Sequence, residues 1–441
     1  MVDFSTKFAG IEFKNPMIGA SGPPTHTPET CEKHAQAGWA AVILKTCHTE
    51  LPECLSKKTG SPVFRLYDFA GRGTWRPIPP PKKSAPKVRG KKGRKSPPYS
   101  VAFIPHTDPA FYEDPEYIEF YNEAKKRCDP YDCKVIPSIY AATLKGWEQL
   151  CRMVNRMKPL AVELNLSIPI NWLGGKSLEG LSPGLSPANE PDICERITKF
   201  CVDHLDVPVL VKLAPLELRN GDVALAVQRA GAKGINLGNR WMGLSMRIDI
   251  ETATVGGHPD FPIWCDSSWG AWVIPYNCGT IYQMRSLGVS IDIAATGGIH
   301  EIQDIIRYIM AGANVVQACG AVMTEGFDIV SEWLEGLSSW MEAKGYWTVK
   351  EMTGIIIDKV LKDHSKLPLR VPQRLGGLLP PLEIVLNKAM CIDCGWCEKA
   401  CMNLAIETVD ELPRIDKKKC EVCGLCEAIC PVHALRMQPA R

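Results

Sequence analysis

Over residues 16–344, short apolar runs alternate with amphipathic stretches. Eight runs have the length and apolar content of buried strands: Pro16–Ser21, Ala40–Thr46, Lys134–Ala141, Leu160–Ser167, Val207–Pro215, Gly234–Gly238, Ser290–Thr296 and Val315–Ala321. Helical spacing of apolar positions marks Pro28–Ala37, Trp147–Met157, Pro191–Leu205, Asp222–Ala230, Ile274–Leu287, Ile302–Ala311 and Asp328–Ala343. Strand and helix in this rhythm predict an α/β fold, a (β/α)8 TIM barrel. A doubly wound open sheet is the alternative. No strand ends in Gly-x-Gly-x-x-Gly with an acidic residue about twenty positions on, so a dinucleotide-binding sheet lacks its signature.

Two segments break the rhythm. From Phe69 to Thr107 there is no acidic residue, and the centre is rich in Lys, Arg, Pro and Gly. This basic insertion, about 69–107, reads either as a solvated surface segment or as a grip for a polyanion. After the barrel, assigned to 1–345, Thr348–His364 reads as one more helix and Pro368–Pro381 as a linker, together filling 346–385. The remaining residues, 386–441, form a small separate domain.

That domain carries a cysteine pattern written twice: Cys391, Cys394, Cys397, Cys401, then Cys420, Cys423, Cys426, Cys430 followed by Pro431. It is the ligand run of a two-cluster ferredoxin, in which three thiolates of each run hold one cubane and the fourth crosses to the other. Cys391, Cys394, Cys397 and Cys430 are expected to hold one [4Fe–4S] centre. Cys420, Cys423, Cys426 and Cys401 are expected to hold the second. Paired zinc sites are the alternative, but they give no reason for the fourth-cysteine spacing. Met402 stands where the first run would carry its proline. The other cysteines are scattered singly and read as buried free thiols. A formal net charge of +2 argues against a nucleic-acid binder. No basic-then-apolar leader and no uncharged run of spanning length is present, so a soluble cytoplasmic protein is expected.

Barrel enzymes build their sites at the C-terminal ends of the strands. Here those ends carry Ala20, Ser21 and Gly22; Lys45 and Thr46; Asn165 and Ser167; Lys212; Asn236 and Asn239; Thr296, Gly297 and Gly298; and Cys319, Gly320 and Ala321. The last two groups are small, glycine-rich and placed before helices, where backbone amides can reach a phosphate.

With FKNPMIGASGP, ILKT, ELNLS, VKLAP and ATGGI, the chain resembles class 1 dihydroorotate dehydrogenases. It is more similar still to the dihydropyrimidine dehydrogenase family, in which an FMN barrel precedes a two-cluster ferredoxin domain. The resemblance implies FMN at the mouth. Ala20, Ser21, Gly22, Lys45, Thr46, Asn165 and Lys212 would surround the ring and ribityl chain. Thr296, Gly297, Gly298, Gly320 and Ala321 would hold the phosphate. Lys212 is the expected partner of negative charge at the flavin N1–C2 edge; Asn165 and Asn239 complete the expected catalytic set. It also implies an FAD/NAD subunit or another electron-carrying protein as partner, and a homodimer or larger complex.

The departures bear on substrate. Where the family has an acid–base cysteine after ELNLS, this chain has Ile168, and a ring-binding asparagine is replaced near Ala102. Arg240 and Trp241 follow Asn239 in place of small residues. Uracil and orotate are therefore disfavoured as substrates. Lys176, Glu179, His258, Cys265 and Tyr276 are candidate replacement acids. The expected function is an FMN- and iron–sulfur-dependent oxidoreductase acting on an activated C=C or ring bond of a non-pyrimidine small molecule. An electron-transfer subunit of a larger complex and an RNA-modifying flavoenzyme are the alternatives.

Overall fold

Every strand of the barrel is short, parallel to its neighbours, and apolar on the side that meets the helices. The computed structural model describes residues 2–48, 114–141, 143–167, 190–214, 220–238, 270–360 and 382–440, together with the backbone of several strands in the remaining segments. The barrel strands are β1 (Met17–Gly19), β2 (Ala41–Ile43), β3 (Lys134–Ile136 continuing as Ser138–Tyr140), β4 (Val162–Asn165), β5 (Val209–Lys212), β6 (Gly234–Leu237), β7 (Asp292–Thr296) and β8 (Val315–Ala318). The two halves of β3 lie on either side of Pro137, which has no N–H to give the ladder. Lys134–Ile136 pairs with β2 and Ser138–Tyr140 pairs with β4. The third strand thus joins both edges of the sheet, and the expected barrel closes.

The register decides what fills it. Crossing two strands advances the facing residue by two positions all the way round, the stagger of an eight-stranded barrel. Side chains from alternate strands therefore stack in layers of four. The lowest layer is Ala41, Ala161, Gly234 and Val315; the next is Ile18, Ile136, Leu210 and Ala294. Both belong to one apolar cluster with Phe8 and Phe13. Those phenyls come from an N-terminal hairpin, Thr6–Phe8 with Ile11–Phe13, that plugs the barrel floor. The hairpin is pinned where Ala9 N donates to Asp292 Oδ2 at 2.7 Å. A Cβ on Gly234 would stand 3.0 Å from the Phe8 ring, so the plug needs a glycine there. Burying each phenyl contributes about 1.5–3 kcal/mol.

The outer, larger apolar cluster lies between strands and helices. α1 (Pro28–Ala37) follows β1, and α3 (Leu144–Met157) follows β3. α3 is capped by Thr143, whose side chain accepts from Gly146 N at 3.1 Å, and it buries Trp147, Leu150, Cys151, Val154 and Met157. α2 (Asp114–Cys128) precedes β3 and was missed by the strand–helix reading. Its signal is a stripe of Tyr117, Phe120, Tyr121, Ala124 and Cys128 at helical spacing. The other barrel helices are α4 (Pro191–His204), α5 (Asn220–Arg229), α6 (Ile274–Ser286), α7 (Ile302–Ala311), α8 (Gly320–Glu325) and α9 (Ile329–Lys344). Cys31, Cys47, Cys128, Cys133, Cys151, Cys194 and Cys201 are buried free thiols, as expected.

The helix expected over Thr348–His364 is corrected. Among the described residues it runs only Val349–Met352, and Gly354 at φ +72° turns the chain away. A Cβ on Gly354 would meet the tip of Ile357 at 2.9 Å, and the left-handed φ strains any residue that carries one. Two long excursions after β2 and β6 also pair. Their strands form an antiparallel sheet in the order Trp241–Gly243, Asp266–Trp269, Ser100–Ile104, Arg65–Ala70, Thr74–Pro77. Ala102 faces Trp269 and Leu66 in it. The basic centre at 78–99 lies outside the described residues. The chain divides into two compact units, Met1–Lys359 and Val360–Arg441.

Candidate active site and iron–sulfur centres

Toward the strand C-termini the barrel interior turns polar. The third layer is Ile43, Glu163, Asn236 and Gln317, every one fully buried. Above it lie Ala20, Ser138, Lys212 and Thr296. Inward positions alternate along a strand, so Glu163 and Asn165 share the face that Val162 and Leu164 do not.

These side chains form one directed network. Ser138 Oγ donates to Glu163 Oε1 at 2.8 Å, and Asn236 Nδ2 donates to Glu163 Oε2. Ser138 therefore accepts from Thr46 Oγ1, 3.0 Å away. Having given its one proton, Thr46 accepts from Ser21 Oγ at 3.2 Å and from Asn165 Nδ2 at 3.0 Å. Asn165 Oδ1 in turn accepts from Ser167 Oγ at 2.6 Å. The sequence-predicted Ser21, Thr46 and Asn165 are thus brought together and oriented by Glu163, which sequence reasoning passed over. Its signal was a carboxylate in phase with Asn165 inside the ELNLS strand. Glu163→Ala leaves two buried donors without an acceptor and a void below the mouth. It is expected to cost about 2–5 kcal/mol, read by denaturant unfolding of the full chain; a loss below about 1 kcal/mol would show the network to be dispensable.

Lys212 stands in register with Asn165 and Asn236 and is only 3% exposed, so it does not snorkel outward. Its ammonium has no ion-pair partner among the described residues. Lys45 is tied through its backbone, its N donating to Thr25 O at 3.0 Å. Next to it His48 is buried against Tyr140. Burial first, and the Lys45 charge second, push its imidazole down to about 3, so it is neutral at ordinary pH.

The ends of the first and last barrel strands meet. Ala20 N donates to Ala318 O at 2.9 Å, and a Cβ on Gly22 would lie 2.5 Å from Cys319 Sγ. The first strand end therefore abuts Cys319 at the start of α8. Gly297 and Gly298 have φ of +99° and +73°, a region that costs other residues roughly 1–2 kcal/mol. A Cβ on Gly298 would also come within 2.8 Å of Gly270 O and Val273. Gly298→Ala is expected to destabilise the chain by about 1–3 kcal/mol and to weaken flavin retention. Thermal unfolding and flavin content after desalting would check this; an unchanged melting curve would contradict it.

Asn239, Arg240, Ile168, Lys176, Glu179, His258 and Cys265 lie outside the described residues. Tyr276 sits on the first turn of α6 beside Trp272, 53% exposed and apart from the buried network.

The second unit is an internal repeat of period 29. Cys391 to Cys401 matches Cys420 to Cys430, helix Trp396–Ala400 matches Leu425–Ile429, and left-handed Asp393, Gly395 and Leu404 match Val422, Gly424 and His433. Strand Leu382–Leu386 pairs with Leu435–Pro439, and Ile406–Val409 with Leu412–Ile415. Cys391, Cys394, Cys397 and Cys430 line a single cavity. Cys397, Cys401, Cys420 and Cys426 share the module's apolar core. The backbone caps sulfur symmetrically: Ala405 N to Cys401 Sγ at 3.2 Å, and Ala434 N to Cys430 Sγ at 3.1 Å. Burial pushes the Cys430 thiol up. The amides of Leu435, Val432, Ala434 and His433 outweigh that and hold it below its ordinary value. Among the described residues no three Cys, His, Asp or Glu side chains converge as ligands of one ion do.

The model of the dihydroorotate dehydrogenase family matches residues 115–341. The chain belongs to the dihydroorotate dehydrogenase family. It is an oxidoreductase acting on CH–CH bonds and a flavoprotein, with an iron–sulfur domain whose family model, the 4Fe–4S binding domain, matches residues 413–436. The NAD-dependent dihydropyrimidine dehydrogenase subunit PreA of Escherichia coli (strain K12) is 23% identical over 445 residues, covering 99% of this chain and 95% of that protein. The catalytic subunit of dihydroorotate dehydrogenase B (NAD(+)) of Pyrococcus abyssi is 25% identical over 354 residues, 79% of this chain and 97% of its own length. The corresponding subunit of Methanothermobacter thermautotrophicus is 28% identical over 241 residues, covering 55% of this chain and 74% of that protein. No described helix is long and apolar enough to cross a membrane.

Proposed function

We propose that this dehydrogenase holds FMN at the mouth of the barrel of residues 1–345 and two [4Fe–4S] clusters in residues 386–441. Its proposed reaction is reduction or oxidation of an activated C=C or ring bond in a small molecule other than a pyrimidine. The observation that carries the flavin site is Lys212. A buried ammonium with no ion pair among the described residues is costly, and an anionic ring edge above it would supply a partner. The residues fit the group in other respects too: the amides of the Gly297–Gly298 turn have no hydrogen-bond partner among the described residues, and Gly22 gives close approach. The chemistry such groups supply is hydride exchange at the flavin ring and single-electron storage in the clusters.

The residues of the chain have separable tasks. Lys212 opposes negative charge at the N1–C2 edge. Asn165 and Ser21, held through Thr46, orient the ring and ribityl chain; Asn239 would contact substrate. Isoleucine at 168 cannot donate a proton, and this is the ground for a substrate that differs from uracil and orotate. Because PreA and the dihydroorotate dehydrogenase B proteins are named as subunits, an FAD/NAD subunit or another electron-carrying protein is the proposed partner. Homodimerisation belongs to the same proposal.

The test is anaerobic. Dithionite-reduced enzyme is offered enones, pyrimidines, acyl thioesters and an electron-carrier protein, and reoxidation is followed by flavin absorbance. Reoxidation by a non-pyrimidine electron-poor alkene is the expected result. Reoxidation by uracil or orotate alone would overturn the substrate assignment, and reoxidation by the carrier protein alone would make the chain an electron relay.

A further inference from the structure

Behind the phosphate-binding turn lie two buried polar side chains, neither of which belongs to the mouth network. Tyr308 on α7 is fully buried, and Asn277 on α6 is 5% exposed. Asn277 Nδ2 donates to Thr296 O at 2.9 Å and to Tyr308 Oη at 3.0 Å. Tyr308 Oη donates to Gly297 O at 2.8 Å. Two successive backbone carbonyls are therefore drawn toward the helix layer by one coupled pair. In a trans peptide the N–H points opposite to the C=O of the same unit. Holding Thr296 O and Gly297 O on the helix side turns the amides of Gly297 and Gly298 the other way, toward the mouth. Neither amide has a hydrogen-bond partner among the described residues, although Gly298 is buried. Successive amides flanking left-handed glycines make a concavity that receives anions. The phenol is also secure as a donor: burial holds its ionisation well above the ordinary tyrosine value, despite the opposing bond from Asn277.

We infer that Tyr308 and Asn277 are positioning residues that aim the Gly297 and Gly298 amides at the flavin's phosphate. They do so from behind the turn and without touching the cofactor. The inference rests on the flavin reading above. It adds that selectivity for a phosphorylated flavin is set partly by side chains of α6 and α7.

The experiment compares FMN with riboflavin, which lacks the phosphate. Full-length chain is stripped of flavin anaerobically and titrated with each, following quenching of flavin fluorescence. The wild type should prefer FMN. Tyr308→Phe removes one hydroxyl and should weaken FMN binding about tenfold or more, leaving riboflavin affinity within about threefold. Asn277→Ser should act in the same direction, and the double variant should add little to the stronger single one, because both groups hold one turn. Equal loss of both flavins in Tyr308→Phe, or an unchanged FMN-to-riboflavin ratio in both variants, would overturn the inference while leaving the flavin site standing. A wild-type chain that binds neither flavin would overturn the flavin reading itself, and the inference with it.

Discussion

Lys212→Met is expected to lower kcat by about two to three orders of magnitude while flavin stays bound. That is the usual size of the loss when one preorganised electrostatic partner of developing charge is removed. Methionine keeps the unbranched shape of the lysine stem, so packing in the Ala20, Ser138, Lys212, Thr296 layer is preserved and the change is one of charge. The position explains the size. Lys212 is 3% exposed and in register with Asn165 and Asn236, so solvent cannot take over its role. Glu163 lies one layer beneath, with both carboxylate oxygens engaged by Ser138 and Asn236. Lys212 forms no ion pair with it, which leaves the ammonium's hydrogen bonds for a group above. A second readout separates this from simple damage: the flavin midpoint potential should become more negative, because negative charge on the ring has lost its partner. Lys212→Arg should restore part of the potential and less of the rate, since the planar guanidinium cannot occupy the ammonium's place. A kcat within threefold of wild type, with the potential unmoved, would remove Lys212 from the catalytic set.

Cys394→Ala is expected to reduce iron from about eight to about four per chain and to stop electron exchange with a protein partner. Cys394 lines the cavity shared with Cys391, Cys397 and Cys430. Its loss should spare the set formed by Cys401, Cys420, Cys423 and Cys426. Oxidation of reduced flavin by a small artificial acceptor should remain within about threefold, because that reaction needs only the barrel. Cys31→Ser is the matched control: Cys31 is a fully buried free thiol of α1, and its replacement should leave the iron content unchanged. Anaerobic iron and sulfide analysis with a carrier-reduction assay would check both. Zinc in place of iron, or full iron content in the Cys394 variant, would contradict the ligand assignment.

Much of this protein was legible in the chain, and the reason differs from part to part. The strand–helix rhythm announced the barrel because burial on both faces leaves near-continuous apolar runs such as Val209–Lys212 and Val315–Ala318. The cysteine spacing announced the ferredoxin module because metal ligation sets covalent distances that sequence spacing must obey. Glycines at Gly297 and Gly298 were readable because their left-handed φ values favour a residue without a Cβ. α2 was missed because its polar face is rich and its apolar stripe depends on tyrosines.

Local pattern reaches no further than the neighbours of each residue. Whether the sheet closed depended on the register across Pro137, which no single strand encodes. Closure then decided that Glu163, Asn236 and Gln317 share a layer although they lie far apart in the chain, and that Glu163 rather than solvent orients Thr46 and Asn165. The same holds for Tyr308 and Asn277, which come from two helices and meet behind a turn between them. Sequence determined which elements form and which atoms can ligate iron, because those follow from side-chain chemistry and periodicity. Tertiary structure alone decided which buried polar groups face one another, because that is set by how the strands stagger as the barrel closes.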